Sequence, residues 1–196
     1  MTQIGVLALQ GDVSEHVLAL QRAVGSFAGT VEVVEVRKPG QIEKCQALAL
    51  PGGESTTIRS QLDNSGLAEE LKAAALSGKP ILATCAGLVL VSKEIEGGGR
   101  VKPLGLMDIT VGRNAFGPQR ESFEADLAVK GLDSPYRAVF IRAPAIVRVG
   151  GDVDVLARIG EVVVAVRQKN LLALAFHPEL TEDSRIHQIF LKMLEA

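Results

Sequence analysis

The sequence predicts an α/β fold: a single domain built on a mainly parallel open sheet flanked by helices, with additional antiparallel strands in the second half. Three observations predict it. Short apolar runs at residues 4–9, Ala47–Leu50 and Ile81–Thr84 have the length and composition of strands buried on both faces. Segments of helical period stand between them. Past Gly97-Gly98-Gly99 the pattern changes to strands whose turn signals lie close together, as in an antiparallel arrangement.

Taken in order, residues 4–9 form the first strand. Asp12 then caps a helix, with Glu15 as the reciprocal member of a capping box. Val17, Leu20, Gln21 and Val24 follow at helical spacing, giving a mostly apolar face. Val31–Val36 is the second strand and Ala47–Leu50 the third, with a helix beginning near Thr56. Leu67, Leu71 and Ala74 or Ala75 mark another amphipathic helix, stopped by Gly78-Lys79-Pro80. Ile81–Thr84 is the fourth strand and runs directly into Cys85. In the second half, strands are expected at 123–127, 138–141, 153–159, 162–166 and 171–175. Gly150-Gly151-Asp152 and Lys169-Asn170 supply turns between them. Ile186, Ile189, Phe190, Met193 and Leu194 form the stripe of a final core-facing helix. No internal repeat or long linker divides the 196 residues.

Composition narrows the function classes. The chain is 47% hydrophobic and 22% charged with a net charge of −2, which suits a folded globule and excludes a disordered chain. Without a run of Lys or Arg, and with no Trp and few aromatics, neither nucleic acid nor a membrane surface is an expected partner. The first six residues lack the basic opening and long apolar core of a secretion signal. No apolar stretch approaches the roughly 20 residues that span a bilayer. Two cysteines, Cys45 and Cys85, are too few for a disulfide scaffold, so a cytoplasmic protein with reduced thiols is expected.

Three segments carry chemistry. In Ala83-Thr84-Cys85-Ala86-Gly87, small residues flank a cysteine between an apolar strand and a helix-compatible run. This is the arrangement of a nucleophile elbow, in which a tight turn lifts a reactive side chain above the sheet edge. The positive end of the following helix favours thiolate over thiol. Taken alone, the same cysteine reads equally well as a small buried hydrophobe. Phe176-His177-Pro178-Glu179 follows the last apolar run. On an extended segment, residues two apart point to one side, so the Glu179 carboxylate is expected to orient the His177 imidazole. His16 and His187 lie on predicted helices without such a setting and read as ordinary. Pro51-Gly52-Gly53-Glu54-Ser55 also follows a strand. Its glycines allow backbone N–H groups to form an oxyanion hole, a plain βα turn or a weak anion site. All three segments fall at predicted carboxyl ends of strands, where open α/β sheets bind ligands.

Together, Pro51-Gly52-Gly53-Glu54-Ser55, Thr84-Cys85-Ala86-Gly87 and His177-Pro178-Glu179 resemble the class I, triad-type glutamine amidotransferases. More narrowly, Leu7-Ala8-Leu9-Gln10-Gly11-Asp12, Arg113-Asn114-Ala115-Phe116-Gly117, Gln119-Arg120-Glu121-Ser122-Phe123 and Phe140-Ile141-Arg142-Ala143-Pro144 look like the glutaminase subunits of pyridoxal 5′-phosphate synthases. The resemblance implies that residues 1–196 are one amidotransferase-like glutaminase domain. It implies Cys85 as nucleophile, His177 as proton relay and Glu179 as its orienting acid. Gly53 and Ala86 would supply the oxyanion hole, and Gly52, Gly53, Glu54, Arg113, Ile141 and Arg142 would bind L-glutamine. Within that set, Glu54 suits the α-ammonium and Arg113 the carboxylate of an amino acid. The implied partner is a synthase subunit, in a ring-shaped oligomeric complex, to which ammonia passes. The family's dependence on that partner suits a peptide between Gly52 and Gly53 that rotates to complete the oxyanion hole. No metal or organic cofactor is expected. Two departures stand out: Ala83 where Gly is frequent in such elbows, and Pro118 inside the arginine-containing block. Two other readings compete, a cysteine enzyme of peptidase or deglycase type and a binding subunit without catalysis. The complete set of Cys85, His177 and Glu179 argues against the second.

Overall fold

The structure, a computed structural model, describes residues 1–25, 30–112 and 122–195. Its first half alternates strands and helices: β1 (Thr2–Leu7), α1 (Val13–Val24), β2 (Val31–Val36), β3 (Ala47–Leu50), α2 (Ser55–Ser65), α3 (Leu67–Leu76), β4 (Ile81–Thr84) and α4 (Ala86–Val91). The second half is mostly strand: β5 (Ser92–Ile95), β6 (Met107–Gly112), β7 (Ser122–Leu127), β8 (Tyr136–Ile141), β9 (Ala145–Val149), β10 (Asp154–Ile159), β11 (Val162–Gln168) and β12 (Leu171–Leu174). Helix α5 (Arg185–Lys192) follows.

One sheet runs in the order β2-β1-β3-β4-β12-β11-β9-β6-β5, with β10 paired to β11, while β7 and β8 form a separate antiparallel ribbon. From β2 to β12 every pairing is parallel, and most of the remainder are antiparallel. The chain moves outward from β1 to β2, then returns to place β3 on the other side of β1. That reversal makes the β1/β3 edge a topological switch point, where the two following loops diverge and leave a crevice. The buried runs Ala47–Leu50, Ile81–Thr84 and Leu171–Leu174 occupy the middle of the sheet, as their unbroken apolar character requires.

Register then decides where chemistry collects. Leu174 of β12 pairs with Thr84 of β4, and the Cys85 N–H donates to the Leu174 carbonyl at 2.8 Å. The residues after β12 therefore emerge beside Cys85, although 85 residues lie between Cys85 and Leu171 in the chain.

Several expectations need correction. β5, β6 and β9 were not predicted, and α2 was expected only at its start. Helix α2 buries just Ile58 and Leu62, too little to mark an apolar period. The buried stripe of α1 is His16, Ala19, Leu20 and Ala23, whereas Gln21 is exposed. Asp12 does precede α1, but its side chain makes no capping bond, so there is no capping box. In α5, His187 and Leu191 are buried alongside the expected Ile186 and Phe190. Among the described residues, no helix is long and apolar enough to cross a membrane.

Candidate active site

Between β4 and α4, Cys85 adopts φ 48° and ψ −102°, a conformation that L-residues seldom take. The turn is tight because α4 lies directly against β3: a Cβ on Gly87 would sit 2.3 Å from the Leu50 carbonyl oxygen. Alanine at position 83 is buried within β4 and does not prevent the turn. Cys85 is 9% exposed, with Sγ 3.8 Å from the carbonyl oxygen of Ile141. That contact brings the end of the β7–β8 ribbon to the cysteine.

His177 is held from both sides. Its N–H donates to the Val139 carbonyl at 2.8 Å, and the preceding Phe176 packs on Phe140 and Tyr136 at centroid distances of 5.6 and 5.9 Å. The expected extended His-Pro-Glu segment is instead a 3-10 turn over Pro178–Leu180. Proline at the first position of that turn has the required φ already set, and the turn, rather than a pleat, brings Glu179 back under the imidazole. His177 Nδ1 lies 2.7 Å from Glu179 Oε1 and 3.3 Å from Asp12 Oδ2. A carboxylate can only accept, so the proton resides on Nδ1. Burial by itself lowers the His177 pKa, but interactions with Asp12, Cys85 and Glu179 outweigh it and hold the pKa well above the ordinary imidazole range. Nε2 makes no hydrogen bond of good geometry and is the ring nitrogen left to serve Cys85. The bond from His177 also holds the Asp12 carboxyl below its usual range.

The glycine loop closes the crevice on the β1/β3 side. The Gly52 carbonyl accepts from the Asp12 N–H at 3.3 Å, so in a trans peptide the Gly53 N–H points the opposite way. A side chain at Gly52 would meet the His177 ring, with Cε1 at 2.7 Å from its Cβ. Gly53 has φ 144°, and its Cβ position lies 2.7 Å from Gln10 Oε1. The Gln10 side chain in turn accepts from the Glu54 N–H at 2.8 Å. Glu54 caps α2: its carboxylate accepts from the Thr56 and Thr57 N–H groups at 3.1 and 2.7 Å and from the Thr57 hydroxyl at 2.8 Å. These bonds, that from Thr56 foremost, hold its pKa down at about 2. An incoming ammonium would have to share a carboxylate already engaged by the helix.

Cys85, His177 and Glu179 thus meet at one sheet edge with Gly52, Gly53, Glu54, Ala86 and Ile141 around them. Ala86 is the first residue of α4, where backbone N–H groups have no partner within the helix. Arg142 follows Ile141 on the exposed side with φ 45°. Arg113 and Pro118 lie outside the described residues. Asp12, Gln10 and His16 were not singled out from the sequence as site residues. Gln10-Gly11-Asp12 does follow a strand at the switch point, which is the signal that marks it. Ligand atoms of Asp12, His177 and Glu179 lie within 4.8 Å of one another, but they are engaged in hydrogen bonds among themselves.

The two histidines read as ordinary are both buried behind Glu179. His16 Nε2 is 2.9 Å from Thr84 Oγ1 and 3.3 Å from Glu179 Oε2. His187 stands edge-on to His16 at a centroid distance of 6.4 Å, and neither of its ring nitrogens has a partner. Burial, reinforced by His16 and Arg22, pushes the His187 pKa down to about 3. Unfolded, the same imidazole titrates near 6.5. Stability is therefore undiminished above pH 6.5 and declines as pH falls towards 3, by up to about 1.4 kcal/mol per unit. His187→Leu is expected to remove its share of that slope, while His16, also held below the usual imidazole range by burial, keeps its own. Between pH 6.5 and 5 the wild type should lose roughly 2 kcal/mol, or about 4–8 °C in Tm, relative to the variant. Parallel melting curves across this range would show that His187 is not the responsible group.

Comparison with known proteins places these features in context. The SNO glutamine amidotransferase family matches residues 6–196. The pyridoxal 5′-phosphate synthase subunit PdxT of Methanothrix thermoacetophila is 59% identical over 192 residues, covering 98% of this chain and 100% of that protein. The subunit of the same name from Halalkalibacterium halodurans is 53% identical over 195 residues, covering 100% and 96%. A solved glutamine amidotransferase structure superposes with a TM-score of 0.90 at 47% identity, covering 98% of this chain and 99% of that one.

Proposed function

The chain belongs to the SNO glutamine amidotransferase family, and from that premise we propose a mechanism built on Cys85, His177 and Glu179. The protein is a glutaminase that hydrolyses L-glutamine and supplies ammonia for pyridoxal 5′-phosphate synthesis, working with a synthase subunit. Residues 1–196 act as one such domain, in the cytoplasm, within a ring-shaped complex of the two subunits.

The observation that carries the mechanism is the buried His177–Glu179 pair, with Nδ1–H donating to Oε1 at 2.7 Å beside the elbow cysteine. The carboxylate favours imidazolium, and imidazolium favours thiolate on Cys85. The thiolate attacks the side-chain amide carbon of glutamine, giving a tetrahedral oxyanion. N–H groups of Gly53 and Ala86 hold that oxygen. The His177 Nε2 proton passes to the amide nitrogen, the C–N bond breaks, and ammonia leaves a γ-glutamyl thioester. His177, now neutral, takes a proton from water, whose oxygen attacks the thioester. The C–S bond breaks, releasing glutamate and restoring the thiolate–imidazolium pair. Gly52, Gly53, Glu54, Arg113, Ile141 and Arg142 form the glutamine pocket. No step requires a metal or an organic cofactor.

The test is glutamate release from glutamine by the purified chain, with and without its synthase subunit. Strong release in the mixture supports the mechanism. No release from either preparation would overturn it. In the same assay, Gly53→Val should lower turnover about 10²–10³-fold, the loss typical of an absent oxyanion donor. The positive φ at Gly53 is unfavourable for a β-branched residue, and its Cβ would come within 3 Å of Gln10 Oε1 and Gly11 Cα, so this exposed loop must shift locally. Wild-type turnover in this variant would exclude a role for the Gly53 N–H.

A further inference from the structure

We propose that His16 is a positioning residue for the glutaminase reaction, its Nε2–H lying between Thr84 Oγ1 and Glu179 Oε2 and fixing the acid of the triad against the strand that presents Cys85. The inference rests on the roles given above to Cys85, His177 and Glu179.

Glu179 is fully buried, and its two oxygens have different company. Oε1 accepts from His177, whereas Oε2 makes no hydrogen bond of good geometry among the described residues and has His16 Nε2 3.3 Å away. A buried carboxylate oxygen left without a donor is costly, so a proton aimed at it is worth more than its geometry alone suggests. That consideration sets the tautomer. Nε2 faces two oxygens, one of them anionic, and a lone pair there would be repelled. The proton therefore resides on Nε2, leaving Nδ1 as the unprotonated nitrogen, which has no partner. His16 is wholly buried, and burial holds it below the usual imidazole range, so it acts as a neutral donor.

The charged and titratable groups around it come from every packed element. Glu15 shares its helix and Asp12 stands at that helix's N-cap, Glu179 and His177 face it from the turn after β12, and His187 closes the far side from α5. Asp12, at the N-cap of α1, and His16, in its first turn, are four apart in sequence. Asp12 reaches His177 Nδ1 while His16 reaches Glu179 Oε2, so a single helical turn holds both halves of the pair. Thr84, the third contact, is bonded in sequence to Cys85. His16 thus links the acid and the nucleophile through one imidazole, without touching substrate.

The test uses the full chain with its synthase subunit. His16→Leu should lower kcat for glutamine hydrolysis by about 10²-fold, the scale of a slight misplacement of catalytic groups, with KM for glutamine changed less than threefold. The alkaline limb of the kcat/KM profile should move to lower pH, because a loosened Glu179 holds the His177 proton less firmly. His16→Gln places an amide N–H near the Nε2 position and should restore most of kcat and the profile. Wild-type kcat in His16→Leu, an unmoved profile, or no rescue by His16→Gln would overturn the proposal. A second measurement needs no variant: the ¹⁵N and ¹H resonances of the wild-type His16 ring should report a neutral Nε2–H tautomer. An Nδ1–H tautomer or a charged ring would overturn the proposal even if a variant failed to fold. If the wild type released no glutamate, the functional reading would fall, and the tautomer would still decide the hydrogen bond.

Discussion

Cys85→Ala is expected to lower glutamine hydrolysis by at least about 10⁴-fold, the scale seen when a covalent nucleophile is removed from a set that acts as a unit. No other nucleophile stands at the elbow, so the thioester route closes altogether. Folding should survive, because the sulfur's polar contacts are only a long one to the Ile141 carbonyl and the interaction with His177, among the described residues. The strain at φ 48° stays in place with alanine, so the Tm should change by no more than about 3 °C. Glutamate release with the synthase subunit present, together with a thermal melt, checks both halves. Cys45 provides the control. It is buried, its thiol donates to the Gln41 carbonyl at 3.4 Å, and burial pushes its pKa up. Cys45→Ala should therefore cost stability and leave turnover alone. Residual hydrolysis within tenfold of wild type in Cys85→Ala would remove Cys85 from the mechanism.

Gly87→Ala should disrupt the site and the fold together. The added carbon would lie 2.3 Å from the Leu50 carbonyl oxygen, and that oxygen belongs to a central strand that cannot retreat. Helix α4 must then lift away from β3, carrying Ala86 and the turn at Cys85 with it. Overpacking of this kind costs about 3 kcal/mol, which lowers the Tm by roughly 6–12 °C in a domain of this size. Turnover should fall far more than stability does, since the oxyanion donor and the nucleophile move as one. Gly151→Ala, where a Cβ meets nothing within 4 Å, should behave as wild type in both assays. Equal melting temperatures for the two variants would mean that the elbow accommodates a methyl group.

The elements that the sequence revealed best are those with the plainest physical signature. β2, β3 and β4 agree with the expected strands residue for residue, because short apolar runs in β3 and β4 and the valine-rich pattern of β2 have few other places to go. Leu67, Leu71, Ala74 and Ala75 are buried as their spacing required. Where the signature was weak, reading failed. β5 is the polar Ser92-Lys93-Glu94-Ile95, a strand only because β6 pairs with it. In α1 the packed stripe includes a histidine that hydropathy assigns to the surface.

The site divides in the same way. Cys85, His177 and Glu179 could be named from the sequence because each sits just after an apolar run, and parallel strands bring their carboxyl ends to one edge. The residues themselves thus determined the fold class, the edge and the family resemblance. Only the tertiary structure decided how His177 and Glu179 meet, since a 3-10 turn does what an extended segment was expected to do. It also decided the second roles of Asp12 and His16. Both depend on α1 packing against the turn at 178–180, more than 160 residues away in the chain, and local sequence has no term for such a contact. A buried histidine and a half-exposed aspartate look ordinary until the sheet register sets Thr84 beside Leu174.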